Sequence, residues 1–342
     1  EKGWVKNLSS QNQFKQKVAI IGSGPAGMAA SAYLTQNGYQ VDVFEKNDRA
    51  GGLMIYGIPN FKLDKKIVER RTDWLLESGV KFNLNAEVGK NISFQDLEKD
   101  YDAILIATGV YKARQLDIDT SSVDNSIPAL DFLIESNRTG LGDSPSNNKF
   151  LSAKDKNVVV IGGGDTAMDC VRTAIRQQAK EVTCLYRRNK ENMPGSAREV
   201  LNAEQEGIKF NWLSVPSKII SDNSTATSMT YKVAALGEVD ESGRRKPVDT
   251  GVEKQIKSDL IIQALGFEPE DLNHNFKTNI ELTSWKTVKV DFKKFQTSNP
   301  KIFAAGDIVR GASLVVWAIH DGREVAKSIH NFLQSSKIKK AS

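Results

Sequence analysis

The hydrophobic pattern of this chain predicts the same local unit twice. The apolar run Val18–Ile21 precedes the glycine-rich run Gly22–Gly27, and the apolar run Val158–Ile161 precedes Gly162–Ala167. Each apolar run has the length of a buried strand, and each glycine-rich run marks a tight turn into a helix. The sequence therefore predicts an α/β fold with two Rossmann-like domains, each built on a parallel central sheet.

Both glycine-rich runs have the spacing of dinucleotide-binding fingerprints. The first reads Gly-Ser-Gly-Pro-Ala-Gly and the second Gly-Gly-Gly-Asp-Thr-Ala. In such a unit the free N–H groups and the dipole of the helix N-terminus favour a pyrophosphate. Two units predict two bound dinucleotides, with electrons passing from one to the other.

The strands that follow the two fingerprints end differently. Glu45 comes 18 positions after Gly27, where a carboxylate accepts hydrogen bonds from a ribose diol. The equivalent strand of the second unit runs instead into Arg187 and Arg188. A guanidinium binds a 2′-phosphate that a carboxylate would repel, so the second site is predicted to prefer NADP(H) over NAD(H). The alternative is two solvated arginines at a strand end.

Three further segments resemble the two-dinucleotide-binding flavoprotein superfamily. They are the paired glycine before Leu53, the strand that ends in Ala107-Thr108-Gly109, and the strand that ends in Gly306-Asp307. The resemblance implies that the first nucleotide is FAD and that Asp307 binds its ribityl chain. The competing interpretation of Asp307 is a helix N-cap, which aspartate also fills well.

The order of these motifs predicts a discontinuous arrangement of domains. The FAD-binding domain is assigned to residues 1–150 and 267–342, and the NADP(H)-binding domain, inserted within it, to residues 151–266. Residues 237–251 are expected to form a long polar hairpin loop.

Composition and charge exclude several classes of function. The 342 residues carry a net charge of only +5 with scattered basic side chains, which does not indicate nucleic acid. No apolar run approaches the length of a membrane span. The only cysteines, Cys170 and Cys184, are too far apart for a redox dithiol and are expected to be buried and reduced, as in a cytoplasmic protein. No metal site is predicted.

Longer segments resemble the small subunit of NADPH-dependent glutamate synthase. They are Gly51–Asp64, the stretch from Arg187 to Glu199, and Thr297–Gly311, and the resemblance spans nearly the whole chain. Similar modules occur in dihydropyrimidine dehydrogenase and in NADPH-dependent ferredoxin oxidoreductase subunits. The residues expected to bind FAD are Gly22, Gly24, Pro25, Ala26, Gly27, Glu45, Lys46, Gly52, Leu53, Ile58, Thr108, Gly109, Gly306 and Asp307. The residues expected to bind NADP(H) are Gly162, Gly163, Gly164, Asp165, Thr166, Arg187, Arg188 and Gly266.

The resemblance implies hydride transfer from NADPH to the flavin, a reaction whose chemistry belongs to the cofactors. No catalytic side chain is therefore predicted. Family members carry an N-terminal cysteine-rich domain with iron–sulfur clusters, which this sequence lacks. It opens at Glu1–Lys6, similar to the segment after that domain, so either it is truncated or the acceptor is another protein. The expected partner is the glutamate synthase large subunit or another iron–sulfur protein.

Four other functions compete with this hypothesis. A disulfide reductase of the same fold is disfavoured by the missing dithiol, and a monooxygenase by the family segments. An electron-input subunit of the ferredoxin-oxidoreductase or dihydropyrimidine-dehydrogenase type stays open. A non-catalytic FAD-binding scaffold would not need an NADP site, so the second fingerprint with its arginines argues against it.

Overall fold

A computed structural model describes residues 6–8, 10, 12–239 and 245–341, with side chains up to Ser335. The chain divides into two compact units. The first unit comprises Glu1–Ile55, Leu63–Lys112 and Phe267–Ser342. The second comprises Tyr56–Lys62 and Ala113–Gly266. Of the segment Glu1–Lys6, on which a resemblance was placed, residues 1–5 lie outside the described residues.

The elements are numbered in chain order. Strands β1 to β5 are Lys17–Ile21, Gln40–Phe44, Lys81–Asn83, Ala103–Ile106 and Lys112–Ala113. Strands β6 to β10 are Ser126–Pro128, Asn157–Ile161, Glu181–Tyr186, Lys209–Trp212 and Ser214–Asp222. Strands β11 to β15 are Thr225–Val239, Arg245–Lys257, Leu260–Gln263, Phe267–Glu268 and Ile302–Ala304. Helices α1 to α5 are Pro25–Gln36, Leu53–Tyr56, Lys65–Glu77, Phe94–Asp100 and Ala129–Gly140. Helices α6 to α10 are Asp165–Arg176, Ala197–Gln205, Leu272–Phe276, Asp307–Arg310 and Val315–Ala341.

The first unit is built on a five-stranded parallel sheet in the order β15-β4-β1-β2-β3. Strand β4 is buried on both faces. Ala103 and Leu105 belong to the apolar layer that includes residues of α1 and α10, whereas Ile104 and Ile106 belong to the opposite layer. Burial on both sides explains why β4 and the part of β1 from Val18 to Ile21 are unbroken apolar runs, since helices cover both faces of parallel sheets.

The second unit contains a five-stranded parallel sheet in the order β6-β13-β7-β8-β9. One face of β7, with Val158 and Val160, packs with residues of α5, α6 and α7. The other face, with Val159 and Ile161, packs with Met229 of β11. Strand β11 belongs to an antiparallel sheet in the order β10-β11-β12. The second unit is thus a helix layer, a parallel sheet and an antiparallel sheet.

Two segments lie in a different unit from the domain to which the sequence assigned them. Residues 113–150 lie in the second unit, because β6 forms the edge of its parallel sheet beside β13 and α5 packs on that sheet. Residues 56–62 also lie there, although both flanking segments lie in the first unit. The two units also divide between Gly266 and Phe267.

The predicted polar loop over residues 237–251 is wrong in its extent. Strand β11 continues to Val239 and β12 begins at Arg245, so strand residues occupy most of this stretch. Polar residues in both strands misled the sequence interpretation, because β12 is exposed along nearly its whole length. Cys170 and Cys184 are buried free thiols, as predicted. Of the helices that the structure describes, none is long and apolar enough to cross a membrane.

Candidate functional site

The first fingerprint forms the turn between β1 and α1. Gly24 is the N-cap of α1 and Pro25 follows as its first residue, a position that proline favours because its φ angle is preset. A Cβ atom on Gly22 would lie 2.4 Å from the Ala107 carbonyl oxygen, and one on Gly27 would lie 2.1 Å from the Gly22 carbonyl oxygen. A Cβ atom on Gly24 would meet no atom of the described residues within 4 Å. The turn is therefore closed on its protein side and open beside Gly24, as a bound pyrophosphate requires.

Glu45, directly after β2, is buried beside this turn. Its carboxylate accepts hydrogen bonds from the backbone N–H of Ser23 at 3.1 Å and from the Ser23 hydroxyl at 2.5 Å. The other oxygen accepts from the backbone N–H and the side-chain amide of Asn47. Four donors hold the carboxylate at the end of β2, the position predicted for a ribose ligand.

The paired glycine and the end of β4 meet the same turn. A Cβ atom on Gly52 would lie 2.9 Å from the Gly24 Cα atom, so the chain before Leu53 passes directly against the fingerprint. Thr108 lies on the other side, with its Cα atom 3.2 Å from the Cβ position of Gly22. The Thr108 hydroxyl oxygen is buried and has no hydrogen-bond partner among the described residues. A buried hydroxyl without a partner is costly, which favours a ligand at this place.

Gly306 and Asp307 follow the edge strand β15 of the same sheet. Gly306 has a φ of +79°, which favours glycine, and it serves as the N-cap of α9. The N-cap role that the sequence left open for Asp307 therefore belongs to Gly306. The Asp307 carboxylate accepts from the Ser313 hydroxyl at 2.7 Å. Burial raises the pKa of Asp307, although the hydrogen bonds from Ser313 lower it.

The predicted FAD ligands of the first unit thus converge on one edge of its sheet. The open space at Gly24 and the unpartnered Thr108 hydroxyl fit a cofactor with a pyrophosphate and sugar hydroxyls. Lys46 follows Glu45, and its ammonium lies 3.7 Å from Glu270. Gly109 continues the turn after β4.

Ile58 is the exception, because it lies in the second unit with the rest of Tyr56–Lys62. The Tyr56 carbonyl accepts from the Asn137 side-chain amide at 2.9 Å, and the Arg138 guanidinium lies 5.0 Å from the centre of the Tyr56 ring. Both partners come from α5. The segment that carries Ile58 is therefore held by the second unit, while the other predicted FAD ligands belong to the first.

The second fingerprint forms the turn between β7 and α6. A Cβ atom on Gly162 would lie 2.2 Å from the Ala264 carbonyl oxygen, and one on Gly163 would lie 2.2 Å from the Tyr186 ring. Within the part of the chain that the structure describes, a Cβ atom on Gly164 or on Gly266 would have no neighbour within 4 Å. This turn repeats the first one: it is closed at Gly162 and Gly163 and open at Gly164, where the fingerprint predicts the pyrophosphate.

A neighbouring segment crosses the second fingerprint. The backbone N–H of Gly195 donates to the Gly163 carbonyl at 2.9 Å, and the backbone N–H of Ser196 donates to the Asp165 carboxylate at 2.9 Å. Asp165 and Thr166 form the first turn of α6. Asp165 thus uses a carboxylate oxygen to hold the start of α7 against the turn.

The two arginines after β8 have different environments. Arg187 is exposed, and its side chain makes no hydrogen bond or ion pair with any residue that the structure describes. Arg188 is buried, and its Nε atom donates to the Arg245 carbonyl at 2.7 Å. The structure therefore leaves Arg187 available for a phosphate and gives Arg188 a link to β12.

Two polar side chains beside the first fingerprint were missed by the sequence interpretation. Ser23 links Glu45 to the backbone N–H of Gly51, which donates to the Ser23 hydroxyl at 3.0 Å. Tyr111 lies two residues after Gly109 and approaches Gly52. Ser23 occupies a variable position of the fingerprint and Tyr111 a position outside it, so the motif itself signals neither.

Comparison with known proteins agrees with this geometry. The family model for pyridine nucleotide-disulphide oxidoreductases matches residues 16–322. The chain is 48% identical over 98% of its length to the glutamate synthase [NADPH] small chain of Azospirillum brasilense, of which it covers 70%. It is 50% identical over 97% of its length to a putative glutamate synthase [NADPH] small chain of Cereibacter sphaeroides, of which it covers 81%. FprA of Mycobacterium tuberculosis, solved in complex with NADPH, shares the fold, with a TM-score of 0.78 at 19% identity over 95% of this chain and 86% of FprA.

The chain belongs to the pyridine nucleotide-disulphide oxidoreductase family. Within that family it is a member of the glutamate synthase small chains. The predicted α/β fold, the assignment as an NADPH-dependent flavoprotein oxidoreductase and the pair of cofactors, FAD and NADP(H), are confirmed at the level of the family. The residues that bind each cofactor stay predictions.

Proposed function

We propose that this chain takes hydride from NADPH onto FAD and passes the electrons to the large subunit of a glutamate synthase. The observation that carries the assignment of the two sites is the contrast at the ends of β2 and β8. A buried carboxylate, Glu45, follows one fingerprint. An exposed cation, Arg187, which has no hydrogen bond or ion pair with the described residues, follows the other. These groups suit a ribose diol and a 2′-phosphate respectively.

The first unit would hold FAD through the groups gathered at one edge of its sheet. The N-terminus of α1, open at Gly24, receives the pyrophosphate, and Glu45 accepts hydrogen bonds from the adenosine ribose. Thr108 and Asp307 supply a hydroxyl and a carboxylate to the remainder of the cofactor. The Ser23 hydroxyl positions Glu45 through a short hydrogen bond.

The second unit would hold NADP(H) through the N-terminus of α6 and the Arg187 guanidinium. Arg187 needs no rearrangement of protein ion pairs before it binds a phosphate, because none engages it among the described residues. Arg188 supports the role of Arg187 through its contact with β12. Its link to the Arg245 carbonyl ties the end of β8 to β12 and fixes the backbone from which Arg187 projects.

When bound, NADPH supplies the hydride and FAD the group that accepts it. The chain's own contribution is to bind and orient the two cofactors, so no side-chain acid, base or nucleophile is assigned to the transfer. The two thiols take no part. Burial raises the pKa of Cys184 to about 12 and that of Cys170 well above its ordinary value, so neither forms a reactive thiolate at neutral pH.

The large subunit is proposed as the partner because the relatives are named glutamate synthase small chains, which implies a large chain. A cytoplasmic location belongs to the same proposal and is supported by the unpaired state of both cysteines. Another iron–sulfur acceptor, as in the ferredoxin-oxidoreductase or dihydropyrimidine-dehydrogenase type, is the second candidate. This second candidate function differs from the first in the protein that receives the electrons, while the two nucleotide sites are the same.

The test is an anaerobic titration of the FAD-loaded chain with NADPH and, separately, with NADH. We expect NADPH to bleach the flavin absorption faster and at lower concentration than NADH. Bleaching by neither nucleotide would leave only the scaffold hypothesis. Adding the glutamate synthase large subunit or a ferredoxin to the reduced chain then identifies the acceptor by the return of flavin absorption.

A further inference from the structure

Tyr111 lies at the point where the first fingerprint and the paired glycine meet. A Cβ atom on Gly52 would lie 2.9 Å from the Gly24 Cα atom and 3.6 Å from the Tyr111 hydroxyl oxygen. A Cβ atom on Gly109 would lie 3.2 Å from the edge of the Tyr111 ring. The Tyr111 hydroxyl and the Gly24 Cα atom therefore lie within 4 Å of the same Cβ position on Gly52, and Gly24 is where the proposed FAD site places the pyrophosphate.

The Tyr111 hydroxyl is poised to donate a hydrogen bond. Among the described residues it has no hydrogen-bond partner. Burial raises the pKa of Tyr111, and the nearby charges of Glu45, Asp307 and Glu270 raise it further. The phenol consequently keeps its proton over the whole physiological range, and an O–H group that can donate is available for a ligand.

Lys46 lies over the ring of Tyr111. Its ammonium lies 4.4 Å from the centre of the ring, within the range of a cation–π interaction. The same ammonium lies 3.7 Å from Glu270. Three carboxylates surround this part of the first unit, so an anionic cofactor needs donors and positive charge that oppose them. Tyr111 and Lys46 supply both.

We propose that Tyr111 is an FAD-binding residue whose hydroxyl donates a hydrogen bond to a pyrophosphate oxygen of the cofactor. The inference rests on the proposed FAD site and adds to it an FAD-binding residue, Tyr111, that lies outside the fingerprint motifs. Lys46 acts through the Tyr111 ring and by its charge. A neutral donor at this position strengthens binding without adding to the negative charge contributed by Glu45, Asp307 and Glu270.

The experiment compares FAD binding by the apo-protein of the wild type, of Tyr111→Phe and of a matched control, Tyr39→Phe. The Tyr39 hydroxyl is bonded to His330 and Gln334, so its removal is the same chemical change at a site engaged by protein. We expect Tyr111→Phe to raise the dissociation constant of FAD at least tenfold and Tyr39→Phe to leave it unchanged. Since the Tyr111 hydroxyl has no partner among the described residues, the thermal midpoint of the Tyr111→Phe apo-protein should equal that of the wild type.

The visible spectrum of bound FAD distinguishes a pyrophosphate contact from a contact with the flavin ring. An unchanged spectrum with weakened binding supports the proposal, whereas a shifted spectrum overturns the pyrophosphate assignment. Equal FAD affinity of wild type and Tyr111→Phe overturns the role of Tyr111 and leaves the proposed function intact. A wild-type apo-protein that binds no FAD would overturn both.

Discussion

The Lys62 ammonium lies 2.6 Å from an Asp169 carboxylate oxygen in the second unit. A second carboxylate, that of Glu199, lies 2.6 Å from the same ammonium. Phe61, the preceding residue, is covered by the guanidinium groups of Arg172 and Arg176 at 4.8 and 3.9 Å from its ring centre. These contacts explain why the short segment Tyr56–Lys62 belongs to the second unit although the chain before and after it does not.

Replacing Lys62 by methionine is expected to destabilise the protein increasingly as the pH rises. Burial raises the pKa of Asp169 to about 6, while the hydrogen bond and charge of Lys62 lower it. The folded protein thus holds the Asp169 proton more tightly than the unfolded chain, and stability falls as the pH rises from about 4 to about 6. Without Lys62 this pKa is higher still, so the fall continues above pH 6.

The measurement is the midpoint of urea unfolding at pH 5, 7 and 8. We expect a loss of about 1–3 kcal/mol at pH 8 and a smaller one at pH 5, because an unpaired buried carboxylate is costly only when it is ionised. Lys66→Met, at an exposed lysine of α3, is the matched control and should change little. A pH-independent loss in Lys62→Met would contradict the role of Asp169.

Glu206 forms ion pairs with Arg172 and Arg176, the two arginines that cover Phe61. It is expected to stabilise the folded protein at pH values above its low pKa. The hydrogen bond from Arg176, followed by that from Arg172, lowers the pKa of Glu206 to about 2. A depressed carboxylate pKa contributes stability that is present at neutral pH and is lost as the pH falls through about 4 to 2. Glu206→Gln should lower the free energy of unfolding by about 1.5–3 kcal/mol at pH 7 and converge with the wild type near pH 2.

The control for Glu206 is Glu204→Gln, which breaks an ion pair with Lys190 between two more exposed side chains. Pairs of that kind contribute about 0–1 kcal/mol. Equal losses for Glu204→Gln and Glu206→Gln would show that the guanidinium contacts of Glu206 add nothing.

Local motifs predicted the two turns and the residues directly attached to them. The position of Glu45 after β2 and of Arg187 after β8 follows from the regular geometry of a strand, turn and helix unit, in which spacing along the chain fixes spacing in the fold. Contacts that join distant segments have no such signal. Asn137 holding the Tyr56 carbonyl, Tyr111 approaching Gly52 and Arg188 bonding to the Arg245 carbonyl depend on packing that no short window of sequence contains.

Arg187→Glu should weaken NADPH binding at least tenfold and affect NADH binding much less. A charge-assisted hydrogen bond to a phosphate is worth about 1.5–3 kcal/mol. NADH has no 2′-phosphate and therefore makes no such bond that the substitution could remove. The control is Lys180→Glu, which makes a similar change of charge at an exposed residue just before β8, at the other end of that strand. It measures the effect of the changed net charge on nucleotide binding. Rates of flavin bleaching as a function of each nucleotide's concentration give the comparison. Equal losses with both nucleotides would mean that Arg187 does not contact the 2′-phosphate.

Alanine at two glycines of the first fingerprint should separate folding from FAD binding. A Cβ atom on Gly27 would lie 2.1 Å from the Gly22 carbonyl oxygen, so Gly27→Ala must shift the backbone and should lower the free energy of unfolding by about 1–3 kcal/mol. Gly24 has a φ of −64° and open space at its Cβ position, so Gly24→Ala should leave the thermal midpoint of the apo-protein unchanged. The added methyl group would instead fill space needed by the pyrophosphate, and FAD titration should show a dissociation constant at least tenfold higher. Tight FAD binding by Gly24→Ala would show that the pyrophosphate does not lie at this turn. It would also contradict the proposed contacts of Glu45 and Thr108 with FAD.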